Sequence, residues 1–311
     1  MNTNSAHHSV RFATRGFMLL AGLLLLSGAH SGAAAQDRTS LYQMHADGKI
    51  WRSTGAPCVG ESCPGWQMLD NNRRTKAIAA GGGRLYQIHS DGKIWRFTGA
   101  PCNSATSCPG WEMIDNNTRS VEIGAGTELF QRHGDGKIWR FTGAPCGSAT
   151  SCPGWQLIDS NTRTKLIVSS GSQLFQLHNS GAVWRFTGAP CNSAVTACPG
   201  WQLLDNNART KSLAANGSQL FQLHDTGAVW RYTGVPCNSD VTSCPGWQRL
   251  DNNPRTVAIT AGTQLFQLHN DGKIWRYTGV PCSGESCPGW RMLDNNAASL
   301  NIAARIGLYQ L

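Results

Sequence analysis

Residues 85–111 read LYQIHSDGKIWRFTGAPCNSATSCPGW, and near-copies of this cassette begin at Leu41, Leu129, Leu174, Leu220 and Leu265. The steps are 44, 44, 45, 46 and 45 residues. A fixed period of that length, filled with short alternating strands and turn residues and showing no helical pattern, predicts a β-propeller with one blade per repeat. The expected fold is therefore all-β, with six blades of four antiparallel strands. The strand-like segment 299–304 is expected to pair with residues 41–45 and close the ring. The final Leu308-Tyr309-Gln310-Leu311 repeats a strand already present at Leu41, which leaves open the alternative of seven blades with one incomplete.

Ahead of the repeats, residues 1–35 carry Arg11 and Arg15, an apolar run over 17–26, and small residues ending in Ala33-Ala34-Ala35. This is the layout of a secretory signal peptide, too short to span a bilayer. Residues 36–311 then form a single propeller domain, expected to be secreted, extracellular or periplasmic, and not membrane-spanning. Losing Arg11 and Arg15 takes the formal net charge from +9 to +7. The basic residues occur once or twice per repeat and form no run, so nucleic acid is not an expected partner.

Twelve cysteines fall as one pair per repeat: Cys58 with Cys63, Cys102 with Cys108, Cys146 with Cys152, Cys191 with Cys198, Cys237 with Cys244 and Cys282 with Cys287. Four to six residues separate the members of a pair. A zinc knuckle of fixed bite tolerates such variation poorly, whereas a loop-closing disulfide tolerates it easily. With the export signal, the expectation is one disulfide per blade and no metal or other cofactor.

Within the second repeat, segment 85–89 reads as one strand, Asp91-Gly92 as a two-residue turn, 93–98 as the next strand and 111–115 as the last. That turn would pair His89 with Ile94, Ile88 with Trp95, Gln87 with Arg96 and Tyr86 with Phe97. One face would then be apolar, carrying Trp95 and its counterparts Trp51, Trp139, Trp184, Trp230 and Trp275. In the third repeat Arg132 would join that face beside Trp139, in cation–π position. The other face would carry a Gln–Arg–His stripe, serving either as a hydrogen-bond network between blades or as the lining of an inter-blade pocket. Strand alternation gathers the Asp-Gly turns, the Asp-Asn-Asn segments and the arginines that follow them (Arg74, Arg119, Arg163, Arg209, Arg255) on one rim. The cysteine loops lie on the other. Turn chemistry alone would also account for the Asp and Asn residues.

The order I-x-A-G, L-F-Q-L-H, D-G-K-I-W-R, G-W-x-x-L-D-N-N resembles the repeat of the tectonins and of the PLL-type bacterial lectins. The resemblance runs from about Leu41 to the C-terminus. It departs from that pattern in the cysteine pairs, and six repeats match tectonins rather than seven-bladed PLL-type lectins. It implies glycan binding at sites between adjacent blades, with fucosylated or O-methylated glycans as the class. By blade, the implied ligand residues are His45, Arg52, Trp66 and Asn72, then His89, Arg96, Trp111 and Asn117, then His133, Arg140 and Trp155. They continue as His178, Arg185, Trp201 and Asn207, then His224, Arg231, Trp247 and Asn253, and end with His269, Arg276 and Trp290.

Aromatic faces for a pyranose and planar polar groups for its hydroxyls are the chemistry that a lectin requires. Catalysis needs a singular constellation, and here every Asp, His and Arg of interest recurs while no G-x-S-x-G or H-E-x-x-H occurs, so no enzyme is expected. The alternative is a protein-interaction scaffold or adhesin, which would use the positions where the repeats diverge, such as Ser53, Arg132 and Arg249. The sequence does not fix the oligomeric state.

Overall fold

The computed structural model describes residues 42–295, apart from 46, 55–64, 149, 193–196, 239, 241–242 and 263. Strands arrive in the order the repeat predicts. Blade 1 holds β1 (Tyr42–Met44), β2 (Ile50–Ser53) and β3 (Trp66–Asp70). Blade 2 holds β4 (Thr75–Gly81), β5 (Arg84–His89), β6 (Ile94–Phe97) and β7 (Trp111–Asp115). Blade 3 holds β8 (Ser120–Ala125), β9 (Leu129–His133), β10 (Ile138–Phe141) and β11 (Trp155–Asp159). Blades 4, 5 and 6 repeat this pattern over 164–205, 210–251 and 256–294. Each is an antiparallel meander paired in chain order, four-stranded in blades 2 to 6 and three-stranded among the described residues of blade 1. The expected closing strand at 299–304 and the C-terminal tetrapeptide lie outside the described residues. The strands of a blade are called a to d below, a being the first of its meander and d the last.

The register corrects the two-residue turn. His89 N donates to Lys93 O and Gly92 N donates to His89 O, both at 2.9 Å, so the loop is Ser90-Asp91-Gly92. Gly92 has φ +84°. This is the three-residue hairpin, a type I turn closed by a left-handed glycine. One added loop residue slides the pairing by one and swaps partners across the faces. Tyr86 pairs with Arg96, Gln87 with Trp95 and Ile88 with Ile94. Hence Gln87, His89 and Trp95 share one face, and Arg96 lies on the other with Tyr86 and Ile88. The expected Gln–Arg–His stripe is split between faces, and the expected apolar face does not carry the strand-c tryptophans. Arg132 is likewise across the sheet from Trp139: it pairs with Ile138, and its Nε donates to Glu122 at 2.7 Å.

Blades pack face to face through apolar side chains. Tyr86, Ile88, Ile94 and Ile114 of blade 2 form one cluster with Leu129, Phe141 and Trp155 of blade 3. Equivalent clusters join blades 1 and 2, 3 and 4, 4 and 5, and 5 and 6. Two further contacts fasten each blade to its predecessor at the outer strand. Trp111 Nε1 donates to Leu69 O at 2.8 Å, and the Cys102 amide donates to Met68 O at 3.1 Å. The same pair of bonds recurs from blade 3 to blade 6, through Trp155, Trp201, Trp247 and Trp290 and through Cys146, Cys191, Cys237 and Cys282.

Disulfides join Cys102–Cys108, Cys146–Cys152, Cys191–Cys198, Cys237–Cys244 and Cys282–Cys287, one in each of blades 2 to 6 as expected. The expected disulfide of blade 1 is not among these five. Its two cysteines, Cys58 and Cys63, fall within 55–64 and so lie outside the described residues.

Candidate functional site

Every gap between successive blades has a polar end and an aromatic end. The polar end lies at the rim of the Ser-Asp-Gly turns. There Gln176 of blade 4 is buried between two partners: it accepts from Thr164 Oγ1 at 2.7 Å and donates to Asp159 Oδ2 of blade 3 at 2.7 Å. Thr75–Gln87–Asp70 and Thr210–Gln222–Asp205 repeat the chain. Burial pushes the carboxyls of Asp159 and Asp205 above the usual carboxylate range.

Beside this network the histidines stack on the strand-c tryptophans, with ring centroids 5.5–5.9 Å apart in all six blades. Asn72 Nδ2 lies 3.4 Å from His89 Nε2, Asn117 3.5 Å from His133 and Asn161 3.1 Å from His178. Burial lowers the pKa of His89, His133, His178, His224 and His269, taking His178 to about 4. These imidazoles are neutral at pH 7. The Nε1–H groups of the six strand-c tryptophans are buried with no acceptor among the described residues.

The aromatic end lies toward the cysteine loops. In blades 1 to 5 the strand-c arginine extends over the face that meets the next blade and bonds across to strand d. Arg52 reaches Gln67 at 2.5 Å, Arg140 reaches Gln156 at 2.6 Å and Arg231 reaches Gln248 at 2.6 Å, while Arg185 pairs with Gln202. Arg96 instead meets Glu112 at 2.5 Å, and Arg276 stands opposite Arg291. Facing the arginines of blades 1 to 5, the next blade presents its strand-c aromatic tilted against its Gly-Trp indole. The centroids are 5.3 Å apart for Phe97–Trp111, 5.1 Å for Phe141–Trp155 and 5.3 Å for Tyr277–Trp290.

Between blades 5 and 6 this end opens into a cavity of about 390 Å³. Blade 5 lines it with Asn216, Gln219, Phe221 and Arg231; blade 6 lines it with Gln264, Leu265, Arg276, Tyr277, Thr278 and Gly279. Burial raises the Tyr277 phenol above its ordinary value, opposed by the nearby Arg231 guanidinium. With amide, guanidinium and ring together, the cavity can offer donors, acceptors and an apolar wall to one small polar molecule.

The residues named from sequence thus border common gaps but not one spot. Arg52, Arg96, Arg140, Arg185 and Arg231 meet the aromatic end with Trp111, Trp155, Trp201, Trp247 and Trp290 of the following blades. Arg276, which lines the cavity between blades 5 and 6, stands opposite Arg291, and Trp66 begins strand d of blade 1. His45, His89, His133, His178, His224 and His269, with Asn72, Asn117, Asn207 and Asn253, lie at the polar end. Three residues of strand separate the two ends, about 10 Å. The five linking tryptophans spend their N–H groups on the preceding blade, leaving ring surface for other contacts. Sequence reasoning passed over Asn161, which stands six residues after Trp155 as Asn117 does after Trp111. It also passed over Asn216, Gln219 and Gln264, which flank turns too variable to signal a site.

No family model matches the chain, and no curated protein matches it. Among solved structures it is similar to Prp20p from Saccharomyces cerevisiae, with TM-score 0.57 at 10% identity over 85% of this chain and 78% of that one. Human WBSCR16 gives TM-score 0.53 at 12% identity, over 86% and 82%. The likeness is one of fold: all three chains are β-propellers. The SapL1 lectin in complex with alpha methyl fucoside gives TM-score 0.38 at 13% identity, over 82% of this chain and 92% of that.

Proposed function

We propose that this propeller is an exported, non-catalytic lectin that holds glycans at the aromatic ends of its inter-blade gaps. The observation that carries the reading is the cavity between blades 5 and 6, where Arg231, Asn216 and two glutamines surround the aromatic wall of Phe221 and Tyr277. Planar donors for vicinal hydroxyls beside a ring for the sugar's apolar face are the elements of saccharide recognition. The repeat's resemblance to tectonins and PLL-type lectins supports the same reading, with fucosylated or O-methylated glycans as the first class to test. Cleavage after residue 35 and passage to an oxidising compartment fit the disulfides. Weak single sites would gain by multivalency on a surface that displays many copies of the glycan.

The test is a glycan array probed with the purified protein, followed by calorimetry on the best monosaccharide. Competed binding with several sites per chain is expected. Arg231→Gln should remove the site between blades 5 and 6 and leave the remaining sites and the melting temperature in place. A folded protein that binds no glycan would transfer the function to protein recognition by the divergent rim residues.

A further inference from the structure

The basic residues form no run in the sequence, yet a residue met once per repeat at one phase is met once per blade at one height. Arg74, Arg119, Arg163, Arg209 and Arg255 each sit in the linker that enters a blade, on the rim of the Ser-Asp-Gly turns. Each is clamped twice through its backbone. Arg163 N donates to Asn161 Oδ1 at 2.8 Å, and Arg163 O accepts from Asn179 N at 2.8 Å; the other four repeat both bonds at 2.7–3.0 Å. The main chain is fixed while all five side chains are exposed.

Lys165 and Lys211 extend the array inward, each reaching the first strand of the next blade, Lys165 Nζ to Lys211 O at 3.1 Å and Lys211 Nζ to Val257 O at 3.5 Å. The acids of this rim are largely spent. Asp91, Asp135 and Asp271 hold the lysine of their own turn at 2.9–3.1 Å, with Asp91 also 4.0 Å from Arg74 and Asp271 3.7 Å from Arg255; the blade 5 turn carries Asp225, and the blade 4 turn, Asn179-Ser180-Gly181, has no charge. The opposite rim is mixed, with Arg84 against Glu128, Asp240 and Glu285.

We propose that the arginine-bearing rim docks the propeller on an anionic lipid surface. Cations set at one height around an axis can all touch a plane of headgroups at once, whereas a linear polyanion would meet only neighbouring ones. A single-stranded nucleic acid would also need exposed aromatic rings to stack on, and the exposed large apolar side chains among the described residues are Val and Met with one Leu. The attraction is additive and screened by salt. Because the cavity between blades 5 and 6 opens toward the other rim, a docked molecule keeps its proposed glycan sites facing outward. The inference does not depend on those sites being occupied.

The test is co-sedimentation of the purified protein with phosphatidylcholine vesicles, plain or containing about 30% phosphatidylserine. Binding should favour the anionic vesicles and disappear when salt is raised from roughly 0.05 to 0.5 M. Arg163→Gln and Arg209→Gln should each weaken it about fivefold, while Arg84→Gln on the opposite rim leaves it unchanged. Both rim variants keep their backbone clamps, so an unchanged melting temperature certifies their fold. Equal partition to both vesicle types, or equal effects of the rim and Arg84 variants, would overturn the proposal. So would capture by heparin with no vesicle binding, which would assign the rim to a linear polyanion.

Discussion

A single buried amide carries much of the polar end of each gap. Gln176 is 1% exposed and ties Thr164 to Asp159 across two blades. Gln176→Leu keeps the volume and strands a carboxylate and a hydroxyl in the interior, so it should cost about 3 kcal/mol in a urea titration. The neighbouring histidines set an acid limit. Their folded pKa lies below the unfolded value near 6.5, with His178 at about 4, so the unfolded chain binds more protons over that interval. Stability from this source is complete above pH 6.5 and is lost as the pH falls toward 4. Thermal melts from pH 7 to 4.5 should show a falling midpoint, with a shallower fall for His178→Gln. The raised carboxyls of Asp159 and Asp205 act in the opposite sense, binding protons in the folded state at higher pH than when unfolded, so they soften the loss at the acid end.

At the scale of the hairpin and its neighbours, strand positions were legible and faces were not. The alternation from Leu85 to His89 and the apolar Ile94 mark two strands whichever turn joins them. The face on which Arg96 and Trp95 lie depends on whether the loop holds two residues or three, and Ser90-Asp91-Gly92 is compatible with both until His89 is seen bonding Lys93. Gly92 lets this turn sit tight against its neighbour. A Cβ there would stand 2.7 Å from the Thr118 carbonyl carbon and 2.8 Å from Asn117 O, because the turn lies on the linker to the next blade. Gly92→Ala, at φ +84°, should cost about 2 kcal/mol or more by chemical denaturation. The Gly-Trp indoles were legible as aromatic but not as fasteners, since the acceptor of Trp155, Ile114 O, lies 41 residues away. Trp155→Phe keeps the ring contact with Phe141 and removes that bond, so about 1 kcal/mol should be lost.

Over the whole molecule, the period fixed the blades because each repeat buries its faces only against the next. The same period hid the charge distribution, since even spacing along the chain becomes a ring in space, as Arg163 and Arg209 show. The disulfides of blades 2 to 6 close loops with sequence separations of 5 to 7 residues, each within one blade. On a chain-entropy basis each adds about 2 kcal/mol. Reduction should lower the melting midpoint while the far-ultraviolet β signature persists at 25 °C; collapse of that signature would make the bridges indispensable.

The bonds from the Gly-Trp indoles and Cys amides of blades 2 to 6 to the strand before them also bear on how such a chain grows. The last strand of a blade has two of its outward carbonyls covered only once the next repeat has been made as far as its tryptophan. A polypeptide halted between repeats would leave a raw sheet edge, open to pairing with another copy. Gain or loss of blades by duplication or deletion is therefore tolerable only in whole cassettes, and a ribosome pausing mid-cassette is the moment at which this protein is most exposed to aggregation.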